Sequence, residues 1–276
     1  MTPIHNIVVA TDFSPGATAA VDRAVQVART HGAVLRLLHV FDVSAWRGLR
    51  GVFDPQRLAR EPPPDVQIRR RLNDLSASLA TQTGLQVEAH FSVGEADGAV
   101  RAYVAAHETA LLVIGSRAEP SILGLGSTAS RLVRAPHCPV LMVRCALVKA
   151  YATVLAAVDL SAQAKRAATV AIALFPAAQH HLALALGPGA HESAHAQALH
   201  DLNQVARSLS GTAQHPVLAE VLDDVPARAI LERAAAFSAD CVVVGHHGGN
   251  GGAQSQLGSM AQQVLQHTLR DVLVVQ

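Results

Sequence analysis

Short aliphatic runs along the chain alternate with stretches in which apolar residues recur three and four apart. Ile7-Val8-Val9-Ala10 is the first run and leads into Thr11-Asp12-Phe13-Ser14. Ala17, Ala20, Val21, Ala24, Val25 and Ala28 then make one face of an amphipathic helix. Ser14 stands at its N-cap position and Pro15 suits its first turn. Further strands are expected at Val34–Val40, Val87–Val93, Leu111–Ile114 and Val140–Val143, with a helix over Asp97–His107. The run Leu111–Ile114 is wholly apolar, as a buried central parallel strand should be. Strand alternating with amphipathic helix predicts a parallel sheet with helices on both faces.

The pattern then starts again. Val154-Leu155-Ala156-Ala157-Val158-Asp159-Leu160-Ser161 repeats the opening run, with Asp159 lying 147 residues after Asp12. At the same offset Ala164, Ala167, Ala168, Ala171, Ile172 and Phe175 repeat the helical stripe, and His181–Gly187 is the expected second strand. From Gly115, matched by Gly245, the offset is 130, so the second half is 17 residues shorter there. The missing length corresponds to most of Val43–Pro64, rich in Arg, Gly and Pro and expected to be irregular and exposed. The remaining elements of the second half are Val217–Leu222, Pro226–Phe237, Cys241–Val244 and Val272–Val275. Two α/β domains follow, 1–147 and 150–276, each with a five-stranded parallel sheet, joined by a short linker near Ala146–Tyr151.

Composition narrows the picture. Half of the 276 residues are hydrophobic but only 3% aromatic, so the core is aliphatic. Formal charge is +1, with no basic run and no interleaved aromatics, which gives no nucleic-acid footprint. No stretch of about 18 apolar residues suggests a membrane span, and Met1–Asn6 does not read as a signal peptide. The three cysteines, Cys138, Cys145 and Cys241, fit neither a disulfide framework nor a zinc site. A cytoplasmic setting is the expectation. Cys138 and Cys241 read as small core residues. His191 and His195 are four apart and on a helix could share a metal, with His200 five further on, but no sequence-close Cys or carboxylate completes a metal set. Arg69-Arg70-Arg71 reads as a solvated face.

In an open parallel sheet, ligands bind beyond the carboxyl ends of the strands where strand order reverses. After the fourth strand of the second half comes Gly245-His246-His247-Gly248-Gly249-Asn250-Gly251-Gly252-Ala253-Gln254-Ser255-Gln256-Leu257-Gly258-Ser259, then a helix. Glycines let the backbone turn its N–H groups towards an anion, and the helix start adds more donors. No Lys follows the glycines, so this is not a P-loop. Asp12 and Asp159 have a plainer alternative role, capping the turn into the first helix of each half.

Gly245-x2-Gly248-x9-Gly258-Ser259, together with Asp159 ending the first strand, resembles the ATP-binding motif of universal stress proteins. Val9-Ala10-Thr11-Asp12-Phe13-Ser14, Leu37-Leu38-His39-Val40 and Ala135-Pro136-His137-Cys138-Pro139-Val140-Leu141-Met142-Val143 are similar to that family too, and the likeness covers nearly the whole chain twice. The resemblance implies two Rossmann-like, adenine nucleotide alpha hydrolase-like domains related by pseudo-twofold symmetry. It implies an ATP site, with or without Mg²⁺, in which Asp159 faces the adenine beside the backbone of Leu186 and Gly187, the expected partner of Val40. Gly245, Gly248, Gly258 and Ser259 would hold ribose and phosphates. His246 and His247 stand where the family often has Ser-Arg; they either meet phosphate when protonated or are exposed loop residues. A possible second site comprises Asp12, Val40, Gly115, Gly126, Ser127 and Thr128. There Ala118 replaces the second glycine and the spacing to Gly126 is seven residues instead of nine, so a distorted cradle is expected.

The implied function is a nucleotide-binding stress-response regulator, with at most slow ATP hydrolysis, since no nucleophile–base pair is visible. The alternative is a structural or interaction module of the same fold with dead sites. An ATP pyrophosphatase would need Ser-Gly-Gly-x-Asp-Ser after strand one, where Asp12-Phe13-Ser14-Pro15 and Asp159-Leu160-Ser161-Ala162 stand instead. Family members usually pair through their last strands, so Val140–Val143 is expected beside Val272–Val275 as an internal pseudo-dimer, with a homodimer also open.

Overall fold

A computed structural model describes residues 4–42, 64–116, 127–135, 137–144, 149–246 and 257–276. The expected irregular loop falls almost entirely outside the described residues, as do Cys145 and much of the linker. In the first half the elements are β1 (Asn6–Ala10), α1 (Pro15–His31), β2 (Val34–Phe41), α2 (Pro64–Thr83), β3 (Val87–Val93), α3 (Ala96–Ala106), β4 (Leu111–Gly115), α4 (Ser127–Arg134) and β5 (Val140–Val143). In the second they are β6 (Thr153–Ala157), α5 (Ala162–Leu174), β7 (Gln179–Ala185), α6 (Glu192–Ser210), β8 (Leu218–Leu222), α7 (Pro226–Ala236), β9 (Cys241–Gly245), α8 (Ser259–His267) and β10 (Asp271–Val275).

Each half is a parallel sheet, and the two join into one ten-stranded sheet of order β3-β2-β1-β4-β5-β10-β9-β6-β7-β8. The junction is antiparallel, with Met142, Leu141 and Val140 opposite Val272, Leu273 and Val274. The expected internal pairing of the last strands is therefore present. It covers an edge that would otherwise expose unpaired backbone groups.

Alternation along the central strands sorts side chains to two faces. Val9, Leu37, Leu141, Val243 and Leu273 join α1, α2, α5 and α6 in one core layer. Val8, Leu38, Met142, Val242 and Val272 join α3, α4, α7 and α8 in the other. Helices α1 and α5 start alike: the Ser14 and Ser161 hydroxyls accept the amide N–H groups of Ala17 at 3.2 Å and Ala164 at 3.1 Å. Removing such a cap costs about 0.5–2 kcal/mol.

The helices end differently, and this corrects one expected equivalence. Helix α1 runs to His31 and closes on Gly32 in the left-handed region. Helix α5 stops at Leu174, before Pro176, which disfavours helical backbone at the residue ahead of it. The next strand consequently starts two residues early. Thr11 N–H donates to the Leu38 carbonyl and Val158 N–H to that of Ala183, so Leu38 matches Ala183. Val40 therefore matches Ala185 rather than Gly187, and Leu186 and Gly187 lie just past the strand, matching Phe41 and Asp42. Helices α2 and α6 keep the offset of 130, with Leu72 and Leu202 buried at matched places.

Several polar contacts cross between the halves. Asp271 is fully buried; its Oδ2 accepts from the Tyr151 hydroxyl at 2.6 Å and lies 3.5 Å from Arg23 Nε, while Oδ1 accepts the Arg144 N–H at 2.7 Å. The Arg23 guanidinium also stacks 3.9 Å over the Tyr151 ring. His31 Nε2–H donates to the Leu174 carbonyl at 3.0 Å, and His246 Nε2–H to that of Arg134 at 2.8 Å. Burial pushes the Cys138 thiol up to about 12 and Cys241 well above its usual value, so both behave as inert core residues, as expected. Among the described residues no helix is long and apolar enough to cross a membrane.

Candidate functional site

The strand order reverses twice at matched places, between β1 and β4 and between β6 and β9. Ligand crevices of such sheets open there, beyond the carboxyl ends. In the second half this brings together Asp159, two residues past β6, and Gly245, the last residue of β9. Leu186 and Gly187 follow β7 on the neighbouring strand. Asp159 and Leu186 are exposed, and Gly187 has a φ of 90°, which side-chain-bearing residues rarely adopt.

Asp159 does serve the turn: its Oδ1 accepts the Ser161 N–H at 3.1 Å, as Asp12 Oδ1 accepts that of Ser14 at 2.9 Å. Between each pair the chain is forced into the left-handed region at a non-glycine residue, with φ of 62° at both Phe13 and Leu160. Such strain costs about 1–3 kcal/mol and persists only where its surroundings enforce it. Here it accompanies the same aspartate-to-serine turn contact in both halves.

Helix α8 begins at Ser259, with Gly258 as its N-cap and no side chain capping it. The first amides of a helix have no partner within it. The exposed Ser259 hydroxyl and the positive end of the helix dipole lie beside these donors. That arrangement suits a phosphate. Gly258 is fixed by its N–H, which donates to the His246 carbonyl at 2.8 Å. His246 itself is only 2% exposed and directs its imidazole into the first half, away from the role of a free loop residue. Gly248 and His247 lie outside the described residues.

The first half assembles the same frame. Asp12 follows β1, Val40 lies near the end of β2, Gly115 ends β4, and Ser127 and Thr128 open α4. Gly126 lies outside the described residues. A Cβ on Gly115 would sit 2.3 Å from the Gly16 carbonyl oxygen, and one on Gly16 would sit 2.6 Å from that of Ser116. The first turn of α1 thus rests backbone-to-backbone on the end of β4. The second half has Gln163 where Gly16 stands.

A row of rings, not anticipated from the sequence, flanks the first crevice. His39 stacks between Phe13 at 5.1 Å and Phe91 at 5.9 Å, and its Nδ1–H donates to the Thr11 carbonyl at 2.8 Å. The Arg71 and Arg69 guanidinium groups lie 4.4 Å over Phe13 and 3.9 Å over Phe91. Arg69, Arg70 and Arg71 are exposed, as expected, and two of them also make cation–π contacts. In the second half the matched residues are Leu160, Leu184, Val221 and Asp201. Leu160 and Asp201 there border an open groove of about 400 Å³, completed by Lys165, Gln204, Val205 and Ser208.

A sequence model of the universal stress protein family matches residues 3–144 and again 150–276, so the chain belongs to that family as a tandem of two such domains. Among solved structures, a universal stress protein from Archaeoglobus fulgidus is 16% identical, covering 100% of this chain and 99% of its own, with a TM-score of 0.77. A protein of unknown function from Pseudomonas aeruginosa PAO1 is 20% identical over 99% of this chain and 92% of its own, with a TM-score of 0.68. These likenesses establish the fold. A universal stress protein solved in complex with cAMP is 28% identical over 46% of this chain and 98% of its own, with a TM-score of 0.39. No curated protein matches the chain.

Proposed function

We propose that the protein is an adenine-nucleotide-binding regulator of stress responses that holds ATP, with or without Mg²⁺, in the second half. The observation that carries this reading is the meeting of Asp159, Gly245 and the uncapped start of α8 around the β6–β9 crevice. Asp159 and the backbone of Leu186 and Gly187 would border the adenine. Gly245, Gly258, Ser259 and the first amides of α8 would hold ribose and phosphates by hydrogen bonding and the helix dipole. The first half is the weaker candidate: its glycine spacing is shorter, and aromatic rings flank its crevice.

Calorimetric titration with ATP, with and without Mg²⁺, tests this on the full chain. Gly258→Asp puts a carboxylate at the N-cap, with φ of −58° and ψ of 148°, a conformation that Asp adopts readily there. The variant should fold while its carboxylate takes the amides meant for phosphate. One site per chain, lost with Gly258→Asp and kept with Ala118→Asp, is the expected result. A second reading, an interaction module without nucleotide, is favoured by the turn contacts that already engage both aspartates. Absence of binding heat and of thermal shift with every adenine nucleotide would decide for it.

A further inference from the structure

We infer that His246 is a positioning residue through which the first half holds the nucleotide-facing helix of the second. The residue directly follows β9, and three bonds leave it in three directions. Its N–H donates to the Val275 carbonyl at 2.7 Å, extending the β9–β10 ladder. Its carbonyl accepts the Gly258 N–H at 2.8 Å, which fixes the residue that caps α8. Its Nε2 lies 2.8 Å from the Arg134 carbonyl oxygen in the other half. A carbonyl only accepts, so Nε2 carries the proton and the tautomer is defined.

Arg134 is the last residue of α4. The final carbonyls of a helix lack a partner within it and carry the negative end of its dipole, so an imidazole N–H there satisfies an otherwise orphaned group. At 2% exposure, His246 has exchanged water for this bond, and losing it would leave its buried imidazole N–H without this acceptor. The equivalent residue of the first half, Ser116, repeats the backbone bond, donating to the Val143 carbonyl at 2.9 Å. A serine side chain is too short to span what the imidazole spans.

Helix α4 starts at Ser127, beside the first crevice, and ends on His246, which sets the start of α8 beside the second. The chain Ser127–α4–Arg134–His246–Gly258 is a continuous physical link between the two candidate sites. The inference rests on the nucleotide reading only for what α8 binds; the anchoring geometry is independent of it.

The test uses the full chain as wild type, His246→Ala and His246→Gln, the last restoring an N–H donor of similar reach. Amide hydrogen exchange without ligand should rise about tenfold in His246→Ala, both at Gly258–Ala261 and at Arg131–Ala135 of the other half, and fall back in His246→Gln. The edge pair β2–β3 should not change. ATP affinity should drop about tenfold in His246→Ala and recover in His246→Gln. Unchanged exchange at either segment, or an alanine variant that binds ATP as wild type does, would overturn the inference. Wild-type protein that binds no adenine nucleotide would refute the proposed function instead, while the exchange comparison still decides whether His246 anchors α8.

Discussion

Near the carboxyl ends of strands β1, β2 and β3 in the first half, Phe13, His39 and Phe91 stack in a row under the guanidinium groups of Arg71 and Arg69. At the matched place in the second half stand Leu160, Leu184 and Val221, with Asp201 where Arg71 is, and a groove opens beside Leu160. The backbone frame is the same in both: an aspartate-capped turn, a left-handed residue after it and a serine-capped helix. Duplication supplied the frame twice; the first half sets stacked rings beside it, and the second sets smaller aliphatic side chains there. The contacts between halves follow the same logic. Arg23, Asp271 and Tyr151 correspond to Val170, Pro139 and Ile4, so the buried lock has no twin across the pseudo-twofold axis.

The largest expected effect breaks that one-sided lock. Asp271→Ala leaves Arg23, 3% exposed, as a buried cation without its carboxylate. Breaking a buried ion pair from one side costs about 3–5 kcal/mol. Urea unfolding should show that loss, and Arg23→Met in the same chain should recover part of it. A loss below about 1 kcal/mol, the range of an exposed pair, would mean the halves are held by the strand pairing and apolar core alone.

An exchange of residues between the halves comes next. Gly16→Gln imports the residue of the second half into a place where a Cβ meets backbone at 2.6 Å. The helix or the strand end must shift, at about 1–3 kcal/mol. The reverse change, Gln163→Gly, removes an exposed side chain from the first turn of α5 and should cost no more than about 1 kcal/mol. Equal losses would show that α1 and α5 approach their strands alike.

Much of this was legible in the chain because it rests on local periodicity and on the repeat. Both Asp-x-Ser turns and the caps at Ser14 and Ser161 follow from patterns the sequence carries twice, while the pairing of Val140–Val143 with the last strand is what the family resemblance implies. The equivalence of Val40 was misjudged by two residues because the signal was a single proline, Pro176, which shortens α5. The rings beneath the exposed arginines of α2, Phe13 and Phe91, lie on other elements, so periodicity does not reveal those contacts. His246 sits in a glycine-rich stretch, and its bond to the Arg134 carbonyl comes from the other half, which the local pattern does not show. Arg23 and Asp271 carried a usable sign: opposite charges in two otherwise apolar patterns call for each other. Non-local partners of single polar residues are what periodicity does not encode.

The smallest expected effect concerns the ring that most separates the two crevices. Burial holds the His39 pKa below its ordinary value, while its bond to the Thr11 carbonyl and the nearby Asp12 charge oppose this. Asp12, Arg69 and Arg71 are the charged groups around the stack. A group that is easier to protonate unfolded than folded takes up a proton on unfolding. Its contribution to stability is full above the unfolded value of about 6.5 and is lost as pH falls below it, towards the lower folded pKa. His180 and His181 of the second half are lowered in the same direction, also first by burial. Melting temperature should therefore fall between pH 7.5 and 5.5, and His39→Leu, which installs the residue found at Leu184, should make that slope shallower without removing it. An unchanged slope in the variant would show that His39 titrates alike folded and unfolded, and that the aromatic row of the first half admits a charge as readily as water does.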